Sequence, residues 1–341
     1  MKIKTTQLFS MITLACGLLM HSAFSAEEVN IYSHRHYDAD KQLFEKFTET
    51  TGIKVNIVKA KADQLIERLL AEGEYSPADL LMTADIGRLH KARELKLLQA
   101  AESEYLKKNI PENLRDKDNQ WFALTKRARV IAYHKDRVNP EDLSTIEALT
   151  DPKWKGKILI RSSTNIYNQS LIASMIAHHG VEKTEEWAKG FVANFARSPK
   201  GSDRDQMRAV VAGEGDLAIV NTYYLGILSN GDDKDKAVAE QIRIFFPNQG
   251  DRGTHVNVSG VGLTRYAKNK DNAIKLMDFL ASAQAQSLFA QANFEYPVID
   301  NIKSSELVES WGNFKEDTIS LSQVGLYNEA AIKLSDRVGW E

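Results

Sequence analysis

The sequence predicts an α/β protein in which two lobes enclose a central ligand cleft. Short apolar strands alternate with helical patterns along the chain, and a polar stretch at residues 111–119 divides this alternation into two regions. The 341 residues are enough for two domains of ordinary size. Because ligands of such sheets bind beyond the carboxyl ends of the strands, we expect the cleft there.

Both regions show strands that alternate with helices, which is typical of a mostly parallel, doubly wound sheet. The predicted strands are residues 29–32, 55–58, 79–82, 121–124, 129–134, 157–160, 217–220 and 256–263. The predicted helices carry Leu43, Phe44 and Phe47; Leu65, Ile66, Leu69 and Leu70; Leu89 and Leu95; residues 168–178; residues 206–212; and Leu276, Phe279 and Leu280. The charged residues 232–236 predict a solvated loop beside Gly231.

The first 25 residues have the pattern of a cleavable secretory signal, so we expect a periplasmic protein. Lys2 and Lys4 precede a mostly apolar run at residues 8–20, and small residues precede Ala26. The apolar run is shorter than the roughly 20 residues that a membrane-spanning helix needs. The only cysteine, Cys16, lies in this segment and gives a weaker match to a lipoprotein cleavage site, so we expect no disulfide in the mature chain.

Composition and motifs favour a binding protein. The formal charge is −2 and the charges are interspersed, which gives no indication of a nucleic-acid partner. The sequence has no Gly-x-Ser-x-Gly elbow, Walker phosphate loop or His-Glu-x-x-His pair, and no Gly-x-Gly-x-x-Gly follows the first strand.

Three loops that follow predicted strands carry tyrosine. Tyr37 follows the first strand in the run His34-Arg35-His36-Tyr37, Tyr167 follows residues 157–160, and Tyr223 and Tyr224 follow residues 217–220. Strand ends of this kind meet at the cleft, so these phenols are candidate ligand-binding groups.

The adjacent tyrosines leave two alternatives open. Neighbouring residues on a strand point to opposite faces, so Tyr223 and Tyr224 reach one point only if the chain turns there. A helix start capped by Asn221 or Thr222 would provide that turn. The residue pattern also fits one packed tyrosine and one exposed tyrosine.

Several phenols at one point suit a small, hard, trivalent cation such as ferric iron. Hard cations prefer oxygen donors, above all anionic ones. A phenol has a pKa near 10 and is neutral at pH 7, so only a strongly polarising cation makes several phenols ionise together.

Four phenolates around Fe(III) would leave a net charge of −1, which a nearby cation would offset. Arg127 and Arg129 lie on the strand expected to cross between the lobes, and Arg35 is a further candidate. The alternative is that one of the first two makes an ordinary salt bridge between lobes while the other is solvated.

The chain resembles the periplasmic ferric-ion-binding proteins of bacterial ABC importers, over nearly the whole mature chain. The resemblance is carried by several short motifs in a fixed order: Val29-Asn30-Ile31-Tyr32-Ser33 with Arg35-His36-Tyr37, Leu124-Thr125-Lys126-Arg127-Ala128-Arg129-Val130, Trp154-Lys155-Gly156-Lys157, Arg161-Ser162-Ser163 with Asn165-Ile166-Tyr167-Asn168-Gln169-Ser170, Asn221-Thr222-Tyr223-Tyr224, and Arg252-Gly253-Thr254-His255-Val256-Asn257.

This resemblance implies a two-lobed type II periplasmic-binding-protein fold with a central ligand cleft and Fe(III) as the transported ligand. In the tyrosine-rich branch of the family, which is similar to proteins of cyanobacteria and some proteobacteria, Tyr37, Tyr167, Tyr223 and Tyr224 fall at the positions of phenolate ligands. His36 falls at an optional imidazole position, where it either binds the ion or donates a hydrogen bond to a ligand.

A second branch, which resembles transferrin, uses a histidine, a glutamate and two adjacent tyrosines with a bound anion. This chain has the paired tyrosines but no glutamate at residues 82–87. Water or carbonate therefore stays open as a co-ligand. His34, His178, His179 and His255 match no ligand position.

We expect residues 1–25 to form the signal, residues 26–125 with 259–301 the first lobe, and residues 126–258 with 302–341 the second. His36 and Tyr37 would then come from the first lobe and the other three tyrosines from the second, so that iron bridges the cleft. The expected partners are the ABC permease of an iron importer and a ferric ion or chelate, and we expect a monomer.

Two other functions stay open. A protein of the same fold could bind a small anion or a polyamine, with the tyrosines as stacking walls. A periplasmic enzyme could use a tyrosine as acid or base. A strong visible absorption band would distinguish ferric phenolate binding from the first, and turnover that survives replacement of Tyr223 and Tyr224 by Phe would favour the second.

Overall fold

The computed structural model describes residues 27–35 and 38–341. The predicted signal segment with Cys16, and the candidate ligands His36 and Tyr37, lie outside the described residues. In the described part of the chain, no helix combines the length and the apolar character needed to cross a membrane.

Strands and helices alternate through the described residues. The strands are β1 (Glu28–Ser33), β2 (Lys54–Lys59), β3 (Leu80–Thr83), β4 (Leu98–Gln99), β5 (Trp121–His134), β6 (Ile158–Leu159), β7 (Leu217–Asn221), β8 (Ile242–Phe245), β9 (Val256–Thr264) and β10 (Tyr296–Pro297). The helices are α1 (Asp38–Thr51), α2 (Ala62–Glu72), α3 (Ile86–Glu94), α4 (Glu104–Asn109), α5 (Ile166–His179), α6 (Val181–Val192), α7 (Asp203–Val211), α8 (Tyr223–Ser229), α9 (Asp233–Gln241), α10 (Lys270–Leu280), α11 (Ala283–Asn293), α12 (Glu306–Ser310), α13 (Leu321–Leu326) and α14 (Asn328–Arg337).

The strands join in the order β2-β1-β3-β9-β5-β7-β6. β1 pairs in parallel with β2 and β3, and β6 pairs in parallel with β7. β9 runs antiparallel to β3 and β5, and β5 runs antiparallel to β7 and β8. The sheet is therefore mixed, and the prediction of a mostly parallel sheet is wrong because two long strands cross it against the direction of their neighbours.

The strands predicted at residues 121–124 and 129–134 are one continuous strand, β5. The polar residues between these two apolar runs do not end the strand, because each has a partner. Lys126 Nζ lies 2.7 Å from a carboxylate oxygen of Glu316. Arg127 donates hydrogen bonds to Ser259 Oγ at 3.3 Å and to the carbonyl oxygen of Ala84. β5 pairs with β9 from Trp121 to Ala128, with a change of register between Ala123 and Thr125, and its second half pairs with β7 and β8.

Alternate side chains of β5 enter two apolar clusters. Ala128, Val130 and Ala132 belong to the smaller cluster, which α7 and α8 cover, whereas Ile131 and Tyr133 belong to the larger one. This period of two places the second half of β5 between two helical layers.

The C-terminal helices contact both regions of the chain. α13 packs against α3 and α5, and α14 packs against α5 and α6. The lobe boundaries at residues 125/126, 258/259 and 301/302 stay a prediction.

The charged run at residues 232–236 begins a helix, so the prediction of a loop there is wrong. Asp232 caps α9 by accepting a hydrogen bond from the backbone amide of Asp235 at 2.9 Å. Acidic residues at a helix N-terminus stabilise it. No residue of α9 is buried, which explains why the run lacks the apolar stripe that identifies a helix in sequence.

His255 lies buried at the start of β9. Neither ring nitrogen has a hydrogen-bond partner among the described residues. Burial, and then the positive charges of Arg129, Arg252 and Arg127 and the nearby His178, lower the pKa of His255 to about 3.

We expect the neutral state of His255 to make the protein less stable in mild acid. In the unfolded chain the histidine has an ordinary pKa near 6.5 and binds a proton in mild acid, whereas the folded residue stays neutral. The free energy of unfolding therefore falls as the pH drops from 7 to 5. The loss from this residue is about 2 kcal/mol. Urea unfolding at pH 7 and pH 5 measures this loss. The fall in the free energy of unfolding between the two pH values should be smaller by that amount in His255→Leu than in the parent protein, and an equal fall in both proteins would contradict a buried neutral His255.

Gly226 allows α8 to pack closely against Phe294. A Cβ atom at Gly226 would lie 2.6 Å from Phe294 Cβ and 2.4 Å from its Cγ, and the Cβ atom of Phe294 cannot move without its backbone. Phe294 itself has a φ of 54° in the left-handed region.

Gly226→Ala should lower the free energy of unfolding by about 1–3 kcal/mol, as overpacked substitutions do. Chemical denaturation measures the change. Gly250→Ala is the matched control, because nothing lies within 4 Å of its Cβ position. Equal stability of the two variants would show that α8 moves aside freely.

Candidate metal centre

Tyr167 is the second residue of α5. The helix begins there because the side chain of Asn165 caps it, accepting a hydrogen bond from the backbone amide of Tyr167 at 3.0 Å. Asn168, next along the chain, is fully buried and donates to the carbonyl oxygens of Arg161 and Ser162 at 2.8 and 3.1 Å. The start of α5 is thus tied to the loop that precedes it.

Tyr223 and Tyr224 are the first two residues of α8, directly after β7. The predicted turn is present, but the predicted side-chain cap is absent. Thr222 already has helical backbone angles and its hydroxyl accepts from the amide of Ala128 at 3.3 Å. Asn221 uses its side-chain oxygen to accept from Arg129 at 3.3 Å.

The turn brings together the three candidate tyrosines that the structure describes, Tyr167, Tyr223 and Tyr224. Tyr223 Oη donates a hydrogen bond to Tyr167 Oη across 3.1 Å. The rings of Tyr223 and Tyr224 lie with their centroids 4.2 Å apart and their planes inclined by 34°. Tyr223 and Tyr167 are buried and Tyr224 is partly exposed. Of the two alternatives, the chain does turn at this point, and one tyrosine of the pair is packed while the other stays partly exposed.

The surroundings of Tyr167 favour the neutral phenol. Burial raises its pKa above the ordinary value, and the neighbouring Tyr224 phenol raises it further, while Arg127 and the hydrogen bond from Tyr223 oppose the shift. The net effect is upward, so the phenol is protonated at neutral pH. A ligand that binds the phenolate must displace the proton.

Arg127 is the predicted arginine that contacts a tyrosine. Its guanidinium carbon lies 5.5 Å from the centroid of the Tyr167 ring, within cation–π range. The side chain is fully buried, and its hydrogen bonds to Ser259 of β9 and to the carbonyl oxygen of Ala84, two residues before α3, hold it beside Tyr167.

Arg129 is engaged in a buried ion pair. Its Nη1 lies 2.6 Å from Oδ2 of Asp203, and its Nη2 donates to Asn168 Oδ1 at 2.6 Å. Both carboxylate and guanidinium are almost completely buried. A role of Arg129 in offsetting charge on the phenols stays a prediction.

Arg161 is the neighbour of the phenols that sequence reasoning did not select. Its guanidinium carbon lies 5.5 Å from the ring centroid of Tyr167, and its Nη1 lies 3.4 Å from Oδ1 of Asp203. Burial disfavours the charge on Arg161, but Asp203 and the phenols of Tyr224 and Tyr167 outweigh burial and raise its pKa. The available signal was the position of Arg161 directly after β6, at a strand end like those of the tyrosines.

Arg35 faces carboxylates. Its Nη2 lies 3.0 Å from Oδ1 of Asp40 and 3.8 Å from Oε2 of the fully buried Glu295. Its Nη1 donates to Thr125 Oγ1 at 3.4 Å.

Two of the histidines without a predicted ligand role contact carboxylates. His178 and His179, in the last turn of α5, contact Asp317 at 2.7 Å and Glu147 at 2.8 Å through their Nε2 atoms. Among residues 27–35 and 38–341, no three His, Cys, Asp or Glu side chains form a group that could hold a metal ion.

Comparison with known proteins places the chain in a family. Residues 76–315 match the family model described as bacterial extracellular solute-binding protein. Iron uptake protein A1 of Synechocystis is 52% identical over 316 residues, which are 92% of this chain and 88% of that protein.

Two solved structures share the fold over their full length. A Trichodesmium protein (IdiA, FutA), solved in complex with iron and citrate ligands, has a TM-score of 0.90 at 51% identity and covers 92% of this chain and 100% of its own. The ferric binding protein from Campylobacter jejuni has a TM-score of 0.87 at 46% identity, again with 92% and 100% coverage. The predicted α/β, two-lobed type II fold is confirmed, and the chain belongs to the bacterial extracellular solute-binding protein family.

Proposed function

We propose that this protein binds ferric iron through tyrosine phenolates and delivers it to the permease of an ABC importer. The observation that carries the proposal is the meeting of three phenols at two helix starts, with the oxygens of Tyr167 and Tyr223 3.1 Å apart and the tilted ring of Tyr224 in contact with that of Tyr223. The iron uptake protein and the two iron- or ferric-binding proteins reported above support the choice of ligand.

The charges around the phenols suit a trivalent ion. Each phenol that binds loses a proton and gains a negative charge, and the guanidinium groups of Arg127 and Arg161, both 5.5 Å from the Tyr167 ring, would offset the excess. Water or carbonate would fill any remaining coordination position.

In this proposal, Tyr37, with His36 as ligand or hydrogen-bond donor, comes from the first lobe and the other three tyrosines from the second. Iron would then join the lobes, and closure about β5 and β9 would produce the shape that the permease recognises. We further propose that the protein is exported to the periplasm, has no catalytic activity and acts as a monomer.

The test is a visible absorption titration of the exported, metal-stripped protein with ferric citrate near neutral pH. We expect a strong ferric-phenolate band that saturates at one iron per chain, and its loss in the double variant Tyr223→Phe/Tyr224→Phe. Iron should also raise the melting midpoint of the parent protein, because a ligand that binds only the folded state stabilises it by mass action.

Tyr105→Phe/Tyr266→Phe is the matched control, because it removes two exposed phenols on other parts of the surface. This variant should keep the full band. Absence of a band in the parent protein, with a melting midpoint indifferent to ferric citrate, would contradict iron binding and would direct the search to small anions and polyamines.

We expect protons and iron to compete for the site. Since burial holds the pKa of Tyr167 above its ordinary value, this phenol is protonated in the empty site at neutral pH, and its binding as a phenolate requires the release of one proton. Each further phenolate ligand would release a proton in the same way. Iron retention should therefore fall as the pH is lowered, and it should fall steeply because several protons are taken up together.

The band should be followed from pH 8 to pH 4 in the loaded protein and in Tyr167→Phe, with total iron measured after gel filtration. The variant has one proton fewer to take up, so its remaining band should decline less steeply. Iron retention independent of pH over this range would exclude phenolate ligands.

A further inference from the structure

Asp203 is fully buried although it lies at the first residue of a helix. Its two carboxylate oxygens contact three different segments: Oδ2 accepts from Arg129 Nη1 at 2.6 Å and from the backbone amide of Asn221 at 2.8 Å, and Oδ1 lies 3.4 Å from Nη1 of Arg161. A buried carboxylate is costly unless it is fully paired, so these contacts fix its position.

One path leads from Asp203 to Tyr167. Arg129, held by the carboxylate, donates from Nη2 to Asn168 Oδ1 at 2.6 Å. Asn168 then donates to the carbonyl oxygens of Arg161 and Ser162. The first turn of α5, where Tyr167 lies, is thereby fixed relative to the carboxylate.

A second path leads from Asp203 to the adjacent tyrosines. The carboxylate accepts from the amide of Asn221, the last residue of β7, two residues before Tyr223. Arg129 Nη1 also donates to the side-chain oxygen of Asn221 at 3.3 Å. The turn that presents Tyr223 and Tyr224 is thus held by the same ion pair that holds α5.

The third path is direct. Asp203 orients the guanidinium group of Arg161, whose carbon lies 5.5 Å from the centroid of the Tyr167 ring and whose charge interacts with the Tyr224 phenol. Arg161 is only partly buried and could swing toward solvent without this partner, because its side chain is 17% exposed.

We propose that Asp203 is the positioning residue of the phenol site: with Arg129 it sets the separation of Tyr167 from Tyr223 and Tyr224, and it holds Arg161 beside them. The inference rests on the proposed function, since it assigns the residue that shapes the proposed iron site. In this proposal, Arg129 holds the tyrosine-bearing segments in place, whereas Arg161 supplies the positive charge next to the phenols.

An ordinary helix-capping role does not account for these contacts. The N-terminus of α7 is already capped by Ser202, whose hydroxyl accepts from the amide of Asp205, while Asp205 accepts in return from the amide of Ser202 at 2.8 Å. The contacts of the Asp203 side chain are instead with Arg129, Asn221 and Arg161, which adjoin the tyrosine-bearing segments.

The experiment compares Asp203→Asn with Asp205→Asn in the exported full-length protein loaded with iron from ferric citrate. Asp203→Asn keeps the size of the side chain but loses the charge and one acceptor. We expect its visible band to shift and its iron to be lost to excess citrate at least tenfold more readily, the range seen when partners of metal ligands are removed. Asp205→Asn should lower the melting midpoint but leave the band maximum and iron retention unchanged.

Arg161→Gln and Arg161→Lys give an independent test if Asp203→Asn fails to fold. Arg161→Gln should shift the band in the direction expected for Asp203→Asn, and Arg161→Lys, which keeps the charge, should restore it toward the parent value. Parent-like bands and iron retention in both Asp203→Asn and Arg161→Gln would overturn the inference. A parent protein without any band would overturn the proposed function itself, and this inference with it.

Discussion

Strands β5 and β9 pair antiparallel from Trp121 opposite Gly262 to Ala128 opposite Val256, and this one ladder carries the chain from one half of the sheet into the other. Arg127 lies opposite Asn257 in it. Arg127 reaches the ring of Tyr167, while Asn257 donates to Asp85 at the start of α3 at 2.8 Å. The register of a single strand pair therefore determines which polar groups from the two halves of the molecule face each other.

The same ladder explains why so many polar groups can be buried beside the tyrosines. Buried donors and acceptors are tolerated only when they are paired. Asp85 accepts from Ser170 at 2.8 Å as well as from Asn257, and Asp203 neutralises Arg129. These hydrogen bonds tie together the backbone at the starts of α3, α5 and α8, from which Tyr167, Tyr223 and Tyr224 project.

The sequence predicted the elements better than their connections. Apolar periodicity located β1, α1 and β7, the strand that precedes Tyr223, because these elements bury one face or both. It did not locate α8, which stayed one of two alternatives for the adjacent tyrosines. It divided β5 in two, since Lys126 and Arg127 interrupt the apolar pattern, and only the tertiary partners Glu316, Ser259 and Ala84 reveal that a strand continues through them. Apolar periodicity also could not predict that β9 runs antiparallel to β3 and β5, because these pairings join residues far apart in the chain.

The sequence likewise predicted some residues of the candidate site and missed others. Tyr167, Tyr223 and Tyr224 could be selected because strand ends and an unusual residue pair are visible in sequence, and the resemblance to ferric-binding proteins gave them a common chemistry. Asp203 could not, because an aspartate at a helix start is ordinarily explained by the helix dipole. Arg161 follows a strand end as the tyrosines do, and that position was its only signal in the sequence. Their importance comes from side-chain contacts across elements, which local pattern does not encode.

Keeping the Tyr167 phenol neutral in the empty site also gives a physical basis for discrimination among cations. A phenol with an ordinary pKa near 10 costs about 4 kcal/mol to ionise at pH 7, and the burial that raises the pKa of Tyr167 increases this cost. A divalent ion recovers less of that energy from each phenolate than a trivalent one, because the Coulomb energy scales with the charge of the ion. Under the proposed function, the raised pKa of the buried phenol therefore acts as a threshold that favours small trivalent cations, and Arg127 and Arg161 lower that threshold without removing it.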